Sequence, residues 1–85
     1  MSTVLVSLED ILSAAKGVVS SARDIADREA RRASCHDDLS NMVESVLYQD
    51  LDDLDLDDHL PEEEVEDFYT NATAAADREA WMVLG

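Results

Sequence analysis

Basic side chains are scarce in this chain. Six of its 85 residues are lysine or arginine, against 21 aspartates and glutamates, for a formal charge of −15. Holding a phosphate backbone takes clustered cations, so direct nucleic-acid binding is excluded. Anionic membrane surfaces would repel the chain, and no apolar run reaches the roughly 18 residues of a spanning helix. Glycine is limited to Gly17 and Gly85, which leaves no glycine-rich phosphate loop. Cys35 is the one cysteine, so no internal disulfide can form. That usage fits a reducing, cytoplasmic setting. The first ten residues have no basic start and reach acid at Glu9, so no secretory leader is expected there. Aromatics are limited to Tyr48, Phe68, Tyr69 and Trp81, which leaves the core to leucine, valine, isoleucine and alanine.

What remains is a chain 46% hydrophobic, enough for a packed core. Its length fits one small helical domain over residues 1–85, burying about 60% of its extended surface. The charge divides it in two. Acids and bases balance over residues 1–32. Residues 33–77 hold fifteen acids and no lysine or arginine. A single acidic block reads as a feature of one surface.

The apolar spacing predicts an all-α fold, a small bundle of three main helices. The first, neutral segment spans about 8–33, with Ser7 as cap and Val6 stapled to Ile11. Its apolar rows repeat every seven residues: Leu8–Ala15–Ala22, Ile11–Val18–Ile25 and Leu12–Val19–Ala26. The second segment, about 37–51, carries Leu39, Val43, Val46 and Leu47 in a phase that continues the first. One long N-terminal helix or a turn near Ser34 both fit, with Ser34 and Asp37 as a cap for the new helix. Residues 50–60 alternate acid with leucine and read as a connector pinned by its leucines. The third segment starts near Pro61, with Glu62, Glu63 and Glu64 favoured by the helix dipole. Its apolar face is Val65, Phe68, Tyr69, Ala72, Ala75, Ala76, Met82 and Val83, and Gly85 closes it. Trp81 falls off that face, as a partly exposed anchor or a frayed end. The neutral, alanine-rich first segment also suits helix pairing in a homodimer. Ala26–Ala30 and Ala76–Ala80 share the letters ADREA, which helix-favouring composition alone can produce.

Catalytic chemistry finds little support. Cys35 and His36 are chain neighbours that point about 100° apart on a helix, and no further cysteine completes a zinc site. They read as a half-buried thiol and a surface imidazole. An enzyme is not expected, nor a cofactor or resident metal. Residues 53–64 read DLDLDDHLPEEE, with Asp53, Asp55 and Asp57 at positions one, three and five of a twelve-residue window and Glu64 at twelve. The window resembles the calcium loop of the EF-hand family. It departs from that family at position six, where Asp58 replaces the turn glycine, and at position nine, where Pro61 offers no ligand.

Unbalanced acids at this density repel one another and oppose compaction. They are worth keeping where a partner neutralises them, and a surface built for phosphates does so. Duplex DNA carries a charge about every 3.4 Å along each strand. Carboxylates four apart on a helix are spaced about 6 Å, as with Glu62 and Glu66. Carboxylates two apart in an extended segment are spaced about 6.6 Å, the expectation for Asp53, Asp55 and Asp57. The expected partner-binding set is therefore Asp50, Asp52, Asp53, Asp55, Asp57, Asp58, Glu62, Glu63, Glu64, Glu66 and Asp67, with Trp81. Its partner would be the basic surface of a nucleic-acid-binding protein. In size and charge, without a shared motif, the chain resembles the small acidic phage and plasmid proteins that inhibit CRISPR effectors, restriction enzymes or other DNA-binding hosts. The resemblance implies a nucleic-acid mimic in the host cytoplasm. The alternatives are a helical adaptor or oligomer whose acids only keep it in solution, and a divergent EF-hand-like calcium-binding protein.

Overall fold

A computed structural model describes residues 8–84 and shows a small all-α bundle. The helices are α1 (Leu8–Ser20), α2 (Ala22–Glu29), α3 (His36–Asp53), α4 (Leu56–His59) and α5 (Glu62–Leu84). Among the described residues there is no strand. The expected Ser7 cap, the Val6 staple and the Gly85 stop lie outside the described residues.

The first segment is interrupted once. The Ser21 N–H donates to both the Gly17 and Val18 carbonyls, each at 3.1 Å, and its hydroxyl donates to Val18 O at 2.6 Å. A serine that bonds back into its own helix competes with the regular ladder. The Ile25 N–H still donates to Ser21 O, so α1 and α2 form one arm with its apolar phase kept. Ile11, Ala15, Ala22, Ile25 and Ala26 are buried along it, while Leu8, the first member of its row, is 53% exposed.

The chain then turns at residues 30–35 and folds back, so the single long helix is not formed. Cys35, with extended backbone, precedes α3 and has no side-chain cap bond. The expected cap by Ser34 and Asp37 is not formed; Asp38 instead ties back to the turn before the helix. Its carboxylate accepts from the Ser34 N–H at 3.0 Å and the Ser34 hydroxyl at 3.3 Å. Asp37 instead meets His36 Nε2 at 3.1 Å.

Leu39, Val43, Leu47 and Leu51 form a fully buried row down α3. Opposite them α5 presents Val65, Ala72, Ala75, Ala76 and Ala80. Alanines let helix axes approach closely, which is how α5 packs against both α3 and α2. Of the expected core, Ile11, Ile25, Leu39, Val43, Leu47 and Val65 are buried. Val18, Val19, Val46 and Phe68 are half-buried against it. Met82, expected on the inner face of α5, is 63% exposed, and Ala80 takes the inward position.

α3 runs antiparallel to the α1–α2 arm, and α5 returns antiparallel to α3. Arg23 on α2 meets Glu79 on α5 at 3.6 Å, and His36 at the start of α3 stacks on Trp81. The bundle measures 47 × 28 × 15 Å, with a Cα radius of gyration of 14.1 Å. A compact domain of this length would have about 12 Å. The molecule is therefore an elongated, thin slab with two distinct ends.

Candidate acidic interface

The linker between α3 and α5 is built by leucine burial. Leu51, Leu56 and Leu60 are all buried and Leu54 is half-buried, so acids placed between them are forced outward. The chain reverses at Asp55, which has φ 53° and ψ 47° in the left-handed region. Aspartate is among the few side chains that tolerate this conformation. One helical turn, α4, follows, and Leu60 leads extended into Pro61. The Pro61 carbonyl accepts from the N–H groups of Glu64 and Val65 and starts α5. Glu62, Glu63 and Glu64 occupy the first turn of α5, where the dipole favours anions.

All eleven acids of the expected set are exposed: Asp50, Asp52, Asp53, Asp55, Asp57, Asp58, Glu62, Glu63, Glu64, Glu66 and Asp67. They come together at one end of the slab, on the last turns of α3, the linker and the first turns of α5. The antiparallel topology brings the first turn of α1, with Glu9 and Asp10, to the same end. The balanced charge of residues 1–32 concealed that addition, because only the fold says which end each residue reaches. Among the described residues Lys16 is the one lysine or arginine on this half, beside a depression shared with Leu12, Glu64, Asp67, Phe68 and Asn71.

The other cations are gathered at the far end. Arg23 meets Asp27 and Glu79, Arg28 and Arg32 meet Glu29, and Arg78 meets Glu79, all at 3.1–3.8 Å. Among the described residues none of these ion pairs involves an acid of 50–67. Trp81 also lies at the far end, so the structure separates it from the acids it was grouped with. It is 53% exposed within α5, its ring 3.7 Å from that of His36. His36 is half-buried by that stack and Cys35 is exposed, the reverse of the expected arrangement.

Two expected geometries are corrected. Asp53, Asp55 and Asp57 do not form an extended row, because Asp53 ends α3, Asp55 turns the chain and Asp57 is helical. The same path breaks the EF-hand resemblance. The left-handed residue is Asp55 rather than Asp58, and a helical turn stands where the loop would wrap. Among the described residues no group of three or more Asp, Glu, His or Cys converges to hold a metal. The helical pair Glu62 and Glu66 keeps its one-turn spacing on the exposed side of α5.

Beside the acids, on the side of the α3–α5 seam away from α1–α2, lies a shallow groove that sequence reasoning missed. Ser40, Tyr48, Tyr69, Thr70, Thr73 and Ala74 line it, with Glu66 and Asp77. Asp52 and Gln49 line its extension past Tyr48 and Tyr69. The tyrosine rings meet edge to face with centroids 5.0 Å apart. The Thr73 hydroxyl donates to Tyr69 O at 3.1 Å, so the Tyr48 hydroxyl is the donor in its bond to Thr73. Burial, then the negative charges of Asp52 and Asp57 and the neighbouring Tyr48, raise the Tyr69 phenol above its ordinary value.

No helix among the described residues is long and apolar enough to cross a membrane. No protein-family model matches the chain, and comparison with curated proteins and solved structures finds no similar protein.

Proposed function

We propose that this protein is a small acidic inhibitor that occupies the basic nucleic-acid-binding surface of a partner protein as a nucleic-acid mimic. The role is of the anti-CRISPR or anti-restriction kind, carried out in the cytoplasm and without catalysis. One observation carries the reading: eleven exposed carboxylates sit at one end of a 47 Å slab while five of the six cations are paired with acids or held at the other end. Acids that served only to keep the chain in solution would do so dispersed, with less mutual repulsion. The buried linker leucines instead hold the acids between them outward, where they can meet cations.

The test is capture at low salt from a lysate, followed by elution with duplex DNA. Release of nucleic-acid-binding proteins by DNA, at concentrations where a neutral polymer releases none, is the expected result. Capture that DNA leaves intact contradicts the proposal.

A second reading rests on the far end. Trp81, Met82 and Leu84 are exposed there, at 53%, 63% and 40%. Large apolar side chains of this kind anchor protein contacts. A helical adaptor or homodimer would use them, and its binding would survive added salt that dissolves an electrostatic contact.

A further inference from the structure

We infer that the groove along the α3–α5 seam receives an arginine-bearing helix of the partner, with a guanidinium seated over Tyr69 between Asp52 and Glu66. This rests on the mimic reading and names how the partner is recognised. The groove carries two tyrosines and no cation, whereas the depression beside Phe68 at the acidic end is lined by Lys16. Its tyrosines are fixed before binding: Tyr48 is held through Thr73, and Tyr69 is held by the edge contact with Tyr48. Carboxylates flank it, with Asp52 at one end, Glu66 beside Tyr69 and Asp77 at the other end. None of the ion pairs among the described residues reaches these three.

The chemistry selects the occupant. A second copy of this chain would bring another −15 towards an acidic groove, so charge disfavours it relative to a basic partner. A lysine-rich segment would satisfy the carboxylates as point charges but gain less from the ring. A planar guanidinium stacks on a tyrosine face and forks to carboxylates with the same group. The seam is open on its outer side, so a helix laid along it would pack as a further member of the bundle.

The test uses two alanine-based helical peptides, alike except that one carries arginine and the other lysine at every fourth position. Binding is measured by calorimetry at low and moderate salt. The wild-type protein is expected to bind both, with a preference for arginine of about three- to tenfold. Tyr69→Phe should keep the preference and Tyr69→Leu should erase it. The doubly substituted Asp52→Asn/Glu66→Gln protein changes only exposed side chains and so keeps its fold. It should lose the preference too. Equal affinity of the wild type for both peptides overturns the inference and leaves the mimic reading standing. A preference that persists in either Tyr69→Leu or the double variant also overturns it, since recognition then lies elsewhere. Failure of both peptides to bind at low salt overturns it together with the reading it rests on.

Discussion

Single residues set local terms that can be read one at a time. Gly17 lies in the interior of α1 on its exposed side, and a Cβ there would meet nothing within 4 Å. Gly17→Ala should therefore stabilise the protein by about 1 kcal/mol, seen as a raised melting temperature. Asp38 is the opposite case, since its carboxylate closes the turn before α3 through two bonds to Ser34. Asp38→Ala should cost about 1 kcal/mol in urea unfolding, whereas Asp37→Ala should cost less. At Tyr69 the folded protein holds the phenolic proton more tightly than the unfolded chain does. The stability this confers is present below the unfolded pKa of about 10 and lost as pH rises beyond it. Ultraviolet titration should show a phenol ionising above the ordinary range, and Tyr69→Phe should remove it. Trp81 was legible as an exposed residue off the inner face of its helix. Its stack on His36 was not, because nothing in the sequence says that residues 45 apart meet.

At the scale of elements, periodicity located the three long helices and the inner row of α3, since apolar spacing reports helical faces directly. It missed what depends on competition among local bonds. The break at Ser21 comes from a hydroxyl turned back on Val18, and the tie to Ser34 is made by Asp38 rather than by its neighbour Asp37. Residues 50–60 gave no period, and there leucine burial decides: Leu51, Leu56 and Leu60 face inward and Asp55 takes the left-handed turn. The two ADREA stretches do one job twice. Ala26 and Ala76 are fully buried, and Arg28–Glu29 and Arg78–Glu79 form matching pairs on the outside. Two consequences follow for stability. Leu47→Ala should cost about 2–5 kcal/mol in thermal or urea unfolding, and the half-buried Val46→Ala distinctly less. Ala76→Leu should cost about 1–3 kcal/mol by forcing α5 away from its neighbours, although leucine is a good helix former.

Across the whole molecule, charge and shape act together. The acidic half was visible as a run of residues without lysine or arginine. Its gathering at one end of an elongated slab, its reinforcement by Glu9 and Asp10, and its separation from Trp81 needed the antiparallel path of the helices. Under the mimic proposal the acids would act as a set, because one exposed ion pair contributes only about 0–1 kcal/mol. Replacing Asp53, Asp55, Asp57 and Asp58 together with asparagine conserves size and suits the left-handed position 55. The most direct measurement compares this quadruple variant with wild type in affinity for a captured nucleic-acid-binding partner at two salt concentrations, alongside thermal melts of both. The mimic account predicts weaker binding with a flatter salt dependence, and a melting temperature equal to or above that of wild type as self-repulsion falls. Unchanged affinity of the quadruple variant at both salts would contradict it and transfer the binding surface to the apolar end around Trp81.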